Sequence, residues 1–429
     1  MNDIDEFFST ARVAGQDDAV ALPAGDYRRY LYDRDDAVLA PYRGMSYEEF
    51  TADRQRAPFL RELLEYWDGL LAEPFVGLTT DGTVIPDLYP LEIGPANDAD
   101  LVSAAQQALA VLDDDERARV EYPLDARERR AWSNPEFVFH RVGLRLEDIA
   151  PEKSDALLGI VRASLSAEGW AQVDEAMQLN AFLGELTGLP AIMNHRSFWF
   201  SVFGTPSIDE PWGWQLFGHH VCVNFVTVAG RHVIAPVFIG GEPALSDAHP
   251  PLFATREGRA LALASSLTAG QRATAVVYDS VLDSRMPEGR LHPADERHVA
   301  GAFRDNRVVP YEGIAATELD DAQWALLRSI AEDCFLLLRA DQRELTMLAV
   351  EQHRAETYVA WYGATDGSTP FYLRIHSPVV IAELDHHAGV WLSNRLPARF
   401  HVHTTLRLPN GNDYGNAYLA QWNARSAEI

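Results

Sequence analysis

Residues 399–408 impose the tightest constraint on how this chain can fold. Phe400, Val402, Thr404, Leu406 and Leu408 alternate with Arg399, His401, His403, Thr405 and Arg407. Period two is the signature of a β-strand, because successive side chains point to opposite faces. The first set predicts a core-facing side. The second lines up two imidazoles and a guanidinium on one surface. Histidines at i and i+2 of a strand lie roughly 6.5–7 Å apart at Cα. Both rings can therefore lean onto one metal ion at about 2.0–2.1 Å. The alternative is a solvated polar face that happens to carry histidines.

The rest of the chain strengthens the metal reading. Seven histidines fall in three β-like segments, at 219/220, 376/386/387 and 401/403. Glu383, Asp385 and Asp413 lie close by in sequence. Imidazoles with a carboxylate suit Zn, Fe, Mn or Cu. The two cysteines, Cys222 and Cys334, are too few and too far apart for a thiolate site or a disulfide scaffold.

Segment 212–239 reads as a hairpin rich in aromatic and β-branched residues. In a continuous strand His219 and His220 point to opposite faces. His220, beside Cys222 and Asn224, is expected to reach a polar site, and His219 to be a satisfied core histidine. Residues 371–387 read as one strand, or as two broken at Ser377-Pro378. An antiparallel return then brings Glu383 and Asp385 near His401 and His403. Helices are expected over Asp98–Leu112, Ser154–Leu165, Trp170–Thr187, Arg256–Leu267, Glu296–Phe303 and as a long pair from Asp320 to about Trp361, with short extended pieces at Gln271–Asp279 and Arg307–Pro310. No internal repeat is legible.

These elements predict an α+β protein, a helical layer packed on a mainly antiparallel β-sheet. The expected organisation is an N-terminal extension over 1–70 packed on the body, a mostly helical part over 71–195, and a β-rich metal-site part over 196–429 with a helical insertion at 255–363. Residues 71–429 form one domain in this reading.

The expected site has His220, His401 and His403 as ligands of one divalent transition metal, with Glu383 as fourth ligand or base. His219, His386 and His387 are reserve ligands. Asp385 is a second candidate base. Arg407 and Arg374 could hold a substrate carboxylate in two-pronged fashion, with Trp212, Trp214, Asn224 and Asp413 as further substrate-binding candidates. Iron or copper makes this an oxygen-activating oxidoreductase acting on a small acidic or amide-containing molecule. Zinc makes it a hydrolase with the same ligands. A third reading is a non-catalytic ligand-binding protein.

The net charge of −27 argues against nucleic acid or an anionic membrane as partner. No apolar stretch is long enough for a membrane span. The N-terminus has neither a basic nor an apolar signal region, so a cytoplasmic location is expected. Oligomeric state is not legible.

Several short motifs recur together along the chain. They are Trp132-Ser133-Asn134-Pro135, Phe203-Gly204-Thr205-Pro206-Ser207, and Trp212-Gly213-Trp214 leading to Gly218-His219-His220 with Asn224. Further along come Pro236 to Gly241, Tyr372-x-Arg374-Ile375, Ile381-x-Glu383, and His401-x-His403 with Arg407 and Asn412-Asp413-x-Gly415. As a set they resemble the bacterial family catalogued as domain of unknown function 3500. That family name brings no activity with it. The resemblance implies that His219, His220, Glu383, His401 and His403 belong to one site.

Overall fold

The computed structural model describes residues 22, 23, 25–292 and 294–426. Its centre is one sheet of twelve strands. In chain order they are β1 (Glu121–Tyr122), β2 (Leu144–Arg145), β3 (Phe198–Phe203), β4 (Trp212–Gly218), β5 (Val221–Val228), β6 (Arg231–Gly241), β7 (Val276–Tyr278), β8 (Ile314–Ala315), β9 (Tyr358–Tyr362), β10 (Tyr372–Ser377), β11 (Val380–His386) and β12 (Val402–Arg407). Pairing is antiparallel except at β1–β3 and β7–β9. With its helices this is the expected α+β fold.

The sheet order is β1-β3-β4-β5-β6-β12-β11-β10-β9-β7, with β2 on β3 and β8 on β9. That order reads the same from both ends. In the first half a short helix, Asp114–Val120, runs into β1. Then come β2, a 3-10 turn, helices Pro151–Ser164 and Ala167–Thr187, and the meander β3 to β6. In the second half a short helix, Ala269–Ala275, runs into β7. Then come β8, a 3-10 turn, helices Asp321–Cys334 and Ala340–Gln352, and the meander β9 to β12. Gly143 and Gly313 precede β2 and β8, both at positive φ (91° and 83°). A Cβ on either would stand 1.9 Å from a carbonyl oxygen, of Phe200 or of Val359. The halves join through β6 and β12, where Val237 faces Leu406.

The architecture is therefore duplicated, although no repeat is legible in the sequence. The side chains at matching places differ too much. Gln215 pairs with Asn224 across β4–β5, where Arg374 pairs with Glu383 across β10–β11. The first hairpin turns on His219-His220, the second on Pro378-Val379.

Both faces of the sheet are buried. Leu216, Val223, Val237 and Leu406 join Leu157, Ile160, Leu327 and Ile330 of the long helices in the main apolar core. On the opposite face Phe217, Cys222 and Phe238 pack with Phe50, Leu60 and Trp67 from helices Tyr47–Arg54 and Pro58–Ala72. The His401/His403/Arg407 side of β12 lies under this second layer and is closed from solvent. Residues 1–21 of the expected N-terminal extension lie outside the described residues.

Two expectations are corrected. The helical pair expected from Asp320 to about Trp361 stops at Gln352, and segment 255–363 also supplies β7, β8 and β9 to the sheet. Glu296–Phe303 is not a helix. It is an irregular segment whose polar groups bond to β11, and those tertiary bonds outweigh its helical spacing.

Candidate metal centre

The centre forms where the β4–β5 turn, the start of β12 and residues 385–388 meet. Asp385 pairs with His403 and Glu383 with Thr405, as the antiparallel return predicts. His401 donates from Nδ1 to the carbonyl of Ala388 at 2.7 Å. This leaves Nε2 of the neutral ring as a bare lone pair. That atom lies 3.0 Å from Nε2 of His403.

His219 and His220 do not point apart as strand residues. They are the two residues of the turn between Gly218 and Val221, and their rings stack at 3.8 Å. His220 has φ of 64°, a conformation that is uncommon outside glycine and often marks a functional site. Its backbone is held at both ends, since its N–H donates to Asn134 and its carbonyl accepts from Gly240. His219 Nδ1 bonds Asn180 Oδ1 at 2.8 Å.

Nitrogens of His220, His401 and His403 all lie within 4.8 Å of one another. Gly240 makes this approach possible, since a Cβ there would stand 2.6 Å from His403 Cδ2 and 3.2 Å from His220 Cδ2. Burial pulls His401 down to about 3 and holds His220 and His403 well below the ordinary histidine value. All three are neutral near pH 7, the form that binds metal.

His387 differs. Its ring centroid is 3.8 Å from that of His403. Burial opposes its charge, but Glu296 and Asp385, at 3.4 and 3.1 Å, outweigh burial and push it up to about 9. His298 completes the cluster, with nitrogens of His298, His387 and His403 again within 4.8 Å. Sequence reasoning missed His298 and Glu296. The only available signal was the density of charged residues between Asp295 and Arg307.

This chain belongs to the family described as Protein of unknown function (DUF3500). The match covers residues 95–416 and so takes in both halves of the sheet and every histidine of the cluster. Helices Tyr47–Arg54 and Pro58–Ala72 precede it. No curated protein and no solved structure matches the chain. No helix among the described residues is long and apolar enough to cross a membrane.

The remaining expected site residues within this family framework are placed as follows. Glu383 sits beside the cluster but is taken up by four donors. These are Val299 N (2.8 Å), Ala300 N (3.0 Å), Tyr372 Oη (2.6 Å) and Thr405 Oγ1 (2.8 Å). Burial opposes its ionisation, yet His298 and these donors hold it well below the carboxylate range. It ties β11 to residues 298–300 and is not in the group with His220, His401 and His403. Asp385 gives Oδ1 to Arg297 Nε at 2.7 Å. Arg407 is fully buried and bonds Asp413, Asp305 and the carbonyls of Ala300 and Gly301. Asp413 is its counter-ion, and both are closed from solvent. Arg374 bonds Glu312 at 2.7 Å but keeps a buried Nε without a partner.

Trp212 and Trp214 lie in the apolar core on the far face, with Trp214 Nε1 on Ser164 Oγ. Asn224 bonds Gln215 and the Pro236 carbonyl. His386 points away from the cluster, with Nδ1 beside the Phe371 backbone and Nε2 3.4 Å from Glu257. His376 packs on Tyr311.

Proposed function

We propose that this chain is a metal-dependent enzyme in which His220, His401 and His403 hold one transition-metal ion. The observation that carries the reading is the convergence of three buried, neutral imidazoles, two of them with Nε2 atoms 3.0 Å apart. Three protein ligands leave a position open for substrate, as catalytic sites do and closed structural sites do not. The Ala388 carbonyl fixes the tautomer and orientation of His401, the usual role of an outer partner to a ligating histidine.

Iron or copper at this position supplies one-electron chemistry toward dioxygen, and zinc supplies a water that is nucleophilic near neutral pH. We favour the oxidative reading. The hydrolytic one leans on Glu383 as a free base, and both oxygens of that carboxylate are taken up by donors. Arg374, through its unpaired Nε, is the cation for a small acidic substrate.

The test is reconstitution of metal-stripped protein with ferrous iron, cuprous copper or zinc, followed by oxygen uptake with a panel of small carboxylates and amides. The proposal predicts uptake with iron or copper that His401→Ala abolishes. Ester or amide hydrolysis with zinc alone would replace it with the hydrolase reading.

A further inference from the structure

The cluster does not end at three histidines. His298 Nδ1 lies 3.5 Å from Glu383 Oε2 and 3.5 Å from Thr405 Oγ1. His387 Nδ1 lies 3.4 Å from Glu296 Oε1. Each ring thus has a carboxylate close to one nitrogen, while the other, Nε2, is buried with no hydrogen-bond partner. This is how ligating histidines are commonly held, with a carboxylate behind and the metal in front.

A third atom points the same way. Arg297 takes Oδ1 of Asp385, and Oδ2 is left buried without a hydrogen bond. That oxygen stands 3.1 Å from His387 Nε2, close enough to bond but not aligned to do so. Unpaired buried polar atoms are costly, and several facing one another call for a shared partner.

We infer a second cation position at the His298/His387/His403 group of converging nitrogens, bound by His298 and His387 through Nε2 with Asp385 Oδ2 beside His387, adjacent to the His220/His401/His403 position. Glu296 and Glu383 lie close behind its imidazoles. Arg297 holds Asp385 from behind. One carboxylate in the set makes this position harder than its all-imidazole neighbour, and it suits zinc, manganese or ferrous iron. His403 belongs to both groups of converging nitrogens, so the pair would form a binuclear centre. The inference rests on the proposed first position and adds a second ion to it.

The test counts metal. Metal-stripped, tag-free protein is equilibrated with zinc(II) alone, and bound zinc per chain is measured by plasma mass spectrometry. The expected result is two ions in the native chain, one in His298→Ala and one in His401→Ala. One ion in the native chain, lost in His401→Ala and kept in His298→Ala, overturns the second position and leaves the first standing. An ion lost only in His298→Ala would instead remove the first position. No ion in the native chain removes both. Should either variant fail to fold by circular dichroism, the native count of one or two still decides.

Discussion

His401 Nε2 lies 3.0 Å from His403 Nε2, and the Ala388 carbonyl on the far side of His401 keeps the proton off the facing nitrogen. Two residues apart, one just before β12 and one within it, these rings meet because the turn at His219-His220 and the missing side chain at Gly240 leave them room.

Gly240 is accordingly a test of the approach. A methyl at this residue would meet His403 Cδ2 at 2.6 Å and the Val402 carbonyl at 2.8 Å, and backbone cannot give way cheaply. Gly240→Ala is expected to cost about 1–3 kcal/mol through overpacking and to weaken metal binding at least tenfold. Urea unfolding and metal titration check both, and unchanged metal affinity contradicts the geometry.

Glu383 is assigned a structural role. Glu383→Gln keeps the volume but replaces an oxygen acceptor by an NH2 group facing donors. The expected loss is about 2–4 kcal/mol, measured by urea denaturation. Metal bound at His220/His401/His403 should persist in this variant. Loss of that metal in a fully folded variant would restore Glu383 as a ligand.

The strand at 399–408 and its pairing with 383–385 were legible because alternation and a short return constrain which residues share a face. The polar residues that cover that face were not legible. Arg297, His298 and Asp305 come from a segment about a hundred residues earlier, and periodicity says nothing about what packs against a face. Arg407 shows the consequence, since its spacing is equally good for a substrate arginine and for one buried between Asp305 and Asp413. The turn at His219-His220 was hidden because the apolar run continues through it on both sides.

Arg407→Met should separate these two roles. Removing the cation leaves Asp305 and Asp413 buried without it, which costs about 3–5 kcal/mol. Thermal or urea unfolding would show the loss. A stable variant with a raised KM for an acidic substrate would return Arg407 to the substrate site.

Acid should destabilise the fold through its histidines. Burial pulls His219, His376 and His401 to about 3. Between pH 6.5 and 3 the unfolded chain binds protons that the folded chain refuses, so stability falls as pH falls. Glu242 and Asp413, raised by burial to about 8 and about 6, act in the opposite sense but are outnumbered. His376 isolates the effect, because both its ring nitrogens are buried without partners. His376→Phe should cost little at pH 7.5 and flatten the slope below pH 6.5 by up to ~1.4 kcal/mol per pH unit. An unchanged slope would exclude His376 as a contributor.

The most direct measurement is elemental analysis of tag-free protein as purified, beside a His401→Ala/His403→Ala variant of confirmed fold. The account predicts a stoichiometric transition metal in the native chain that is lost in the variant. Stoichiometric metal retained by the variant, or none in the native chain after reconstitution, would contradict it.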